Sequence, residues 1–239
     1  MSANDGAAPA PAVRAPAVRV AGLKKRFGYR EVLRGIDIEI PEASCFAVFG
    51  HNGAGKSTLL RIIATYQRPT AGKVEVLGLD PAREGAQVRA ALGVVFHDHF
   101  LRGDLSLEEN LRFYGDLYGL DGAALSRANG LIERMGLGGR KRDLVRTFSQ
   151  GMAKRATLIR SLLHDPRVWL LDEPFSGLDP SGSALLGEMI LDAKRAGRTV
   201  VLVTHDVEIG LRLADDSVAL RDGMVAARGK AAVEEHFAR

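Results

Sequence analysis

The sequence predicts an α/β fold with a mostly parallel sheet, and two observations lead to that prediction. Apolar runs bounded by glycine alternate with helical patterns along most of the chain, as in proteins whose helices cover both faces of a sheet. Four of these runs are apolar at nearly every position, which is typical of strands buried on both faces. They span residues 45–49, 92–96, 168–171 and 199–203.

Two further segments have a different pattern. Residues 18–40 and 73–77 contain shorter stretches in which apolar and polar residues alternate. A period of two is expected of strands that bury only one face. These segments therefore predict a smaller, antiparallel sheet toward the N-terminal end of the chain.

The pattern between residues 98 and 147 is helical. Ser106 and Glu109 have the spacing of a capping box, in which each side chain satisfies a backbone amide at the start of a helix. Apolar residues then recur at helical spacing, as expected for one buried stripe of a helix. This stripe consists of Leu107, Leu111, Tyr114 and Tyr118.

The domain organisation follows from these patterns. We expect a single domain, residues 17–239, with a helical subdomain at residues 98–147 inserted between two core segments, residues 17–97 and 148–239. The first 16 residues are rich in alanine and proline and contain no continuous apolar stretch. They predict a flexible tail rather than a signal peptide or an anchor.

The composition excludes several classes of protein. The chain has 239 residues, of which 46% are hydrophobic and 26% charged, as in an ordinary globular protein. No apolar run approaches the roughly 18 residues of a membrane-spanning helix, so action on a membrane would require a partner that spans it.

The single cysteine, Cys45, cannot form an internal disulfide and suits a reducing compartment. The net charge of +4 favours a mixed-charge surface over a dedicated basic patch, and we expect no nucleic-acid partner.

A phosphate-binding loop is predicted directly after the strand at residues 45–49. Its sequence matches G-x-x-x-x-G-K-[ST] and precedes an apolar helical pattern. The glycines let successive backbone amides face phosphate oxygens, Lys56 reaches the β- and γ-phosphates, and Ser57 offers a hydroxyl to Mg²⁺. The motif predicts a P-loop NTPase core of the RecA-like type. The loop consists of Gly50, His51, Asn52, Gly53, Ala54, Gly55, Lys56 and Ser57.

Polar residues follow two other predicted strands at the same edge of the sheet. Asp172 and Glu173 come directly after the strand at residues 168–171, where parallel sheets bind ligands. Asp172 is expected to hold Mg²⁺, directly or through water, and Glu173 to act as the general base toward the attacking water. His205 follows the strand at residues 199–203 and is expected to contact the γ-phosphate, with Lys56 and Glu173 as the other catalytic residues.

With one further motif, this set resembles the ATP-binding subunit of ABC transporters over about residues 18–228. The segment Phe148-Ser149-Gln150-Gly151-Met152 is similar to the family signature LSGGQ. In the family this motif contacts the ATP held by the other subunit, a role that falls here to Ser149, Gln150 and Gly151. The resemblance implies ATP and Mg²⁺ as cofactors. It also implies a head-to-tail pair of ATPase subunits, homodimer or heterodimer, with two nucleotides at the interface.

The resemblance assigns roles to three more residues. Asp179 ends the segment Ser176-Gly177-Leu178-Asp179, which in the family links the two sites. Phe27 lies where the family places an aromatic ring that stacks on adenine, and Tyr29, two residues later, is a competing candidate. Thr58, after the phosphate loop, completes the expected ATP-binding set.

Two motifs depart from the family pattern. The family usually has a glutamine after the strand at residues 92–96, where it senses Mg²⁺, and this chain has His97. A neutral imidazole can ligate a metal or orient water, so His97 is a candidate Mg²⁺ ligand. Because protonation near pH 6 would oppose a bound cation, coupling of ATP hydrolysis to the membrane subunit could depend on pH. In the signature, Gln150 replaces the first glycine and Met152 the final glutamine, but the serine and second glycine that suit phosphate contact remain.

Within the family, the segments 93–97, 109–114 and 118–120 are most similar to the haem exporter ATPases of cytochrome c maturation. ATPases of drug, lipid or polysaccharide exporters are alternatives, because these segments do not contact cargo. The resemblance implies a subunit whose ATP hydrolysis drives export. It also implies a peripheral position on the cytoplasmic side of the cell membrane, held by a membrane-spanning transporter subunit.

A function outside transport is the competing class. Some ABC-type ATPases act on DNA or on ribosomes, but they carry a long coiled coil or two cassettes, and this chain has one cassette and no heptad array. A small-molecule kinase is a third alternative. The signature motif and the adjacent Asp172 and Glu173 argue against it.

Overall fold

The computed structural model describes residues 16–96 and 100–238. Residues 1–15 of the predicted tail and His97 lie outside these described residues. The strands are β1 (Pro16–Phe27), β2 (Arg30–Pro41), β3 (Cys45–Phe49), β4 (Ala71–Val76), β5 (Leu92–Val95), β6 (Val168–Asp172), β7 (Thr199–Val203), β8 (Asp216–Arg221) and β9 (Met224–Arg228). The helices are α1 (Lys56–Ile63), α2 (Gly85–Ala91), α3 (Leu107–Leu117), α4 (Gly122–Arg134), α5 (Gln150–Leu162), α6 (Pro180–Arg195), α7 (Val207–Leu213) and α8 (Lys230–Ala238).

The larger sheet has the strand order β5-β6-β7-β3-β8-β9. Its strands are parallel except β9, which pairs antiparallel with β8. Every residue of β3, β6 and β7 is buried, because helices cover both faces of a parallel sheet. The predicted α/β fold with a mostly parallel sheet is therefore confirmed.

The β8–β9 hairpin is absent from the strands that the sequence predicts. Alanine makes up two of the five residues of β9, and its low strand preference weakens the pattern. The turn is nevertheless recognisable in the sequence as the pair Asp222-Gly223. In the structure both residues have positive φ, 51° and 78°. An Asp-Gly pair of this kind is typical of a two-residue hairpin turn.

The smaller sheet is antiparallel, as predicted, with β1 between β2 and β4. Val18 pairs with Ile40 and Val20 with Ile38, and all four side chains are buried. The alternation seen in the sequence therefore corresponds to one buried face. That face packs, with α1, into the hydrophobic core on one side of the larger sheet.

A second core covers the opposite face of the larger sheet and joins it to the helices between β5 and β6. The fully buried Trp169 of β6 donates its indole N–H to Ser161 Oγ of α5 at 2.9 Å, as a buried indole requires. The predicted capping box is present at α3, where Glu109 N donates to Ser106 Oγ at 3.2 Å and Ser106 N donates to Glu109 Oε2 at 2.8 Å. Leu107 of the predicted stripe is buried in this core.

The thiol of Cys45 is buried inside β3, and burial, assisted by the Asp215 carboxylate, raises its pKa to about 12. The thiolate fraction is then about a thousand-fold below that of a free cysteine with a pKa near 8.5. We therefore expect the folded protein to resist labelling by a thiol reagent at pH 8 and the guanidinium-unfolded protein to react at once. Rapid labelling of the folded protein would show that β3 opens in solution.

Candidate active site

Three strands of the larger sheet end side by side at one edge. β7 lies between β3 and β6, with Val203 paired to Val48 on one side and to Asp172 on the other. The residues that follow these strands are consequently neighbours. The structure thus brings together the predicted phosphate loop, the two carboxylates after β6 and His205 after β7.

The glycines of the phosphate loop are required by its geometry. Gly50 has φ 150°, and a Cβ at this position would overlap the carbonyl oxygen of Leu220 on β8. Gly55 has φ 102° and directly precedes α1, in the left-handed region that favours glycine. The turn from β3 into α1 therefore needs small residues at both ends of the loop.

The N-terminus of α1 differs from that of most other helices in the described chain. Helices α3 to α7 each begin with a serine or aspartate whose side chain accepts a bond from a backbone amide of the first turn. At α1 the N-cap is Gly55, which provides no side-chain acceptor, and the first turn has no acidic residue. This helix end suits an external anion such as a phosphate.

Lys56 is buried within the loop. Its Nζ donates to the carbonyl oxygens of Gly50 at 2.6 Å and of His51 at 3.2 Å. Burial lowers the pKa of the Lys56 ammonium, while the carboxylates of Glu173 and Asp172 raise it. The loop therefore holds one cation at the position where the β- and γ-phosphates are expected.

Ser57 and Asp172 supply oxygen ligands of the kind that Mg²⁺ prefers. Ser57 Oγ donates to Asp172 Oδ1 at 3.1 Å, and burial raises the pKa of the Asp172 carboxyl although this hydrogen bond lowers it. Among the described residues, no three His, Cys, Asp or Glu side chains form a group able to hold a metal ion. One carboxylate and one hydroxyl, completed by phosphate oxygens and water, are typical of Mg²⁺ at nucleotide sites. The two residues fit that cofactor.

Glu173 and His205 form a hydrogen-bonded pair beside the loop. Glu173 Oε2 lies 2.9 Å from His205 Nδ1. Glu173 has a left-handed backbone with φ 47°, which is unfavourable for a residue with a side chain. The Glu173 carboxylate thus lies at the cleft in contact with His205, and its action as a base toward water stays a prediction.

A cleft of about 360 Å³ joins the loop to Glu173. Arg30 also lines this cleft and was not among the predicted site residues. Its position three residues after Phe27, the predicted adenine contact, is the only feature of the sequence that points to it. Gly50, His51 and Ala54 do not line this cleft. Ala54 N instead donates to His51 O at 3.1 Å, so these residues shape the loop. The predicted residues that line the cleft are Asn52, Gly53, Gly55, Lys56, Ser57, Thr58 and Glu173.

A second cleft, of about 490 Å³, shares Asn52 and Glu173 with the first and is lined by Gln150 and His205. Of the predicted signature residues, Ser149 and Gly151 line neither cleft. Ser149 Oγ caps α5 by accepting from Met152 N at 3.3 Å. The contact of the signature with a nucleotide on another subunit stays a prediction.

Asp179 caps the N-terminus of α6. It accepts from Ser181 Oγ at 2.7 Å and from Gly182 N at 3.2 Å. These hydrogen bonds, that from Ser181 first, lower the pKa of the Asp179 carboxyl. The geometry gives Asp179 a local structural role, and its link between two sites stays a prediction.

Two exposed aromatic residues compete for the adenine contact. Phe27 ends β1 with its side chain 46% exposed and Lys25 Nζ 4.8 Å from the ring centre, and Tyr29 is fully exposed in the β1–β2 turn. We expect Phe27→Ala to weaken ATP binding by about 5- to 150-fold, since stacking of a base on an aromatic ring contributes about 1–3 kcal/mol. Tyr29→Ala is the matched control and should bind ATP normally in a fluorescence titration. The reverse result would assign the contact to Tyr29.

The loop after β3, its lysine and the carboxylates at the end of β6 define a P-loop ATPase. Residues 33–176 match the protein family described as ABC transporter. The chain belongs to the ABC transporter family, in which this domain binds and hydrolyses ATP. The resemblance found in the sequence is therefore confirmed at the level of the family.

Similar proteins support this assignment. The chain is 38% identical to the daunorubicin resistance ATP-binding protein DrrA3 of Streptomyces coeruleorubidus, over 90% of this chain and 68% of the relative. It is 36% identical to the Nod factor export ATP-binding protein I of Ralstonia nicotianae, over 90% and 67%. Its fold is similar to a solved ATP-binding subunit of an ABC transporter, with a TM-score of 0.86, 28% identity and 93% of each chain covered.

Proposed function

We propose that this chain is the ATPase subunit of an ABC exporter. ATP hydrolysis is supported by the carboxylate of Glu173, which His205 holds beside the phosphate loop. Export is supported by relatives named for drug resistance and for Nod factor export. A cargo that is a drug-like small molecule is favoured, because the relative named for daunorubicin resistance has the higher identity of the two. Nod factor-like, lipid or polysaccharide cargo is the second candidate. Haem export, expected from the sequence, has no support among these relatives.

The chemistry uses residues at the carboxyl ends of β3, β6 and β7. Lys56 neutralises charge on the β- and γ-phosphates, and the free amides at the N-terminus of α1 bind phosphate oxygens. Glu173 accepts a proton from the water that attacks the γ-phosphate, and His205 fixes the orientation of the Glu173 carboxylate. Ser57 and Asp172 hold Mg²⁺, which supplies positive charge to the phosphate oxygens when it is bound.

We propose that the active unit is a head-to-tail pair of ATPase subunits. Ser149 and Gly151 lie at the start of α5 and line neither cleft of their own chain. A second subunit could therefore present its signature residues to the nucleotide held by Lys56, as the family resemblance implies. Asp179, exposed at the start of α6, is the candidate link between the two sites.

The candidate docking surface for a membrane-spanning subunit is an exposed aromatic patch. Leu117 is 69% exposed, and Phe100 lies 5.8 Å from Tyr66, measured between ring centres. Exposed apolar patches of this kind are typical of protein interfaces. In the described residues, no helix has the length and hydrophobicity needed to span a bilayer. We propose that this surface includes five side chains that are each exposed, of which Tyr66 and Phe100 are in ring contact: Tyr66, Phe100, Phe113, Leu117 and Tyr118.

A pull-down tests the proposal. Tagged Glu173→Gln protein is incubated with ATP and detergent-solubilised membranes of the native host, and recovered partners are identified by mass spectrometry. We expect a stoichiometric polytopic membrane protein, lost with the added substitution Leu117→Asp. The matched control is Met224→Asp, since Met224 is exposed on β9. Recovery of only ribosomes or DNA would favour the non-transport class, and recovery of cytochrome c maturation proteins would restore haem as the cargo.

A further inference from the structure

Lys154 is a buried cation that the mechanism above does not use. It lies on α5, is 6% exposed, and its Nζ donates to the backbone carbonyl oxygen of Glu173 at 3.1 Å. Lys154 also lines the second cleft together with Gln150, Glu173 and His205. A charged group this deeply buried is costly unless its surroundings compensate for the lost water.

We infer that Lys154 is a positioning residue for Glu173 and that it connects the signature helix α5 to the catalytic edge of the same chain. The inference rests on the proposed role of Glu173 as general base. Lys154 does not touch the expected water or phosphate. It acts by holding the backbone of the residue that does.

The backbone of Glu173 needs such support. Its φ of 47° is left-handed, and residues held in this region persist only when several contacts fix them. Glu173 N donates to Val203 O at 2.9 Å, and Ser176 N donates to Glu173 O at 3.3 Å. The bond from Lys154 is the shorter of the two that reach this carbonyl. Without it, the longer bond from Ser176 would be the remaining one of the two hydrogen bonds to this carbonyl.

The charge of Lys154 also suits this location. Burial lowers the pKa of its ammonium group, and the nearby carboxylates of Asp172 and Glu173 raise it. The carboxylates of Asp172, at the end of β6, and of Glu173, the next residue, therefore favour the charged form of Lys154. A neutral side chain of the same length would leave both the carbonyl and the carboxylates without this partner.

The position of Lys154 on α5 gives the contact a second consequence. Ser149 caps the same helix five residues earlier, and five residues of helix span about 7 Å. A rigid helix of this length transmits a displacement of its N-terminus to Lys154. Contact of the signature with a nucleotide on another subunit would therefore shift the support of Glu173, so that pairing and hydrolysis are coupled.

The test compares steady-state ATPase kinetics, ATP affinity and thermal unfolding of the purified full chain with Lys154→Met. We expect kcat to fall by about 10- to 100-fold, since a misplacement near 1 Å can cost that much, with KM and ATP affinity within about twofold of wild type. Thermal unfolding is measured because removing one partner of a buried charged contact also costs stability, and the kinetics are compared well below the melting temperature of each variant. Lys154→Arg, which keeps the charge and a donor, should recover most of kcat.

Arg155→Met is the matched control, because Arg155 Nη1 donates to the carbonyl oxygen of Met135 at 3.2 Å, away from Glu173. It removes a similar bond from the same helix and should keep kcat within about twofold of wild type. If Lys154→Met does not fold, Lys154→Gln takes its place and the same split between kcat and KM is expected.

Three results would overturn the inference. A wild-type kcat in Lys154→Met beside an inactive Glu173→Gln would overturn the positioning role alone, as would a loss confined to KM. Wild-type hydrolysis by Glu173→Gln would overturn the proposed base and this inference with it.

Discussion

The Glu173→Gln variant is expected to bind ATP with wild-type affinity and to hydrolyse it at least about 100-fold more slowly, which is the usual loss on removal of a general base. Glutamine has the size of glutamate and can still accept a hydrogen bond from His205 through its amide oxygen. It cannot accept the proton of the attacking water. The variant should therefore collect in the ATP-bound pair, which is visible as an ATP-dependent dimer in size-exclusion chromatography.

A matched control separates this effect from a general loss of charge. Glu188 is exposed on α6, and Glu188→Gln should hydrolyse ATP at the wild-type rate. Binding is measured with a fluorescent ATP analogue and hydrolysis by phosphate release. Hydrolysis by Glu173→Gln at the rate of the Glu188→Gln control would show that another group is the base.

Replacement of Lys56 by alanine is expected to weaken ATP binding by about 10- to 100-fold, because hydrogen bonds to charged groups contribute about 1.5–3 kcal/mol. The cation is held inside the phosphate loop by the carbonyl oxygens of Gly50 and His51, so no other lysine can take its position. Because the substitution also removes both of these hydrogen bonds inside the loop, ATP affinity is measured well below the melting temperature of the variant.

The control for this variant is Lys73→Ala. Lys73 is exposed on β4 and pairs with Glu75 at 2.5 Å, and loss of a surface ion pair changes stability by about 0–1 kcal/mol. ATP affinity should be unchanged in this control. Unchanged affinity in Lys56→Ala as well would contradict the assignment of the phosphate loop.

Several features of the fold were accessible from sequence because they depend on neighbouring residues. The strands β3 and β7 have the predicted bounds, since a run of five mainly apolar residues rich in β-branched or aromatic side chains and bounded by turn residues favours a strand buried on both faces. The capping box at Ser106 is a contact across three residues. The hairpin at Asp222 carries an equally local signal, but the alanines of β9 weaken the strand pattern around it.

The position of His51, in contrast, depends on a residue far away in the sequence. Its ring lies 5.8 Å from that of Phe237 on α8, measured between ring centres. The phosphate loop and the C-terminal helix are separated by most of the chain. Their contact depends on β8 and β9, which return the chain to the side of β3. The residues next to His51 or Phe237 in the sequence do not predict this contact.

The sequence by itself determined the chemistry of this protein: the phosphate loop, the carboxylates after β6 and the buried strands are each defined by residue type and short spacing. Only the tertiary structure decided which of these groups meet. The strand order, with β7 between β3 and β6, brings His205 to the Glu173 carboxylate across 32 residues of sequence. The packing of α5 brings Lys154 to the backbone carbonyl of the same residue across 19 residues. The physical reason is that backbone preferences and loop geometry act over a few residues, whereas strand order and helix packing follow from burial of the whole hydrophobic surface.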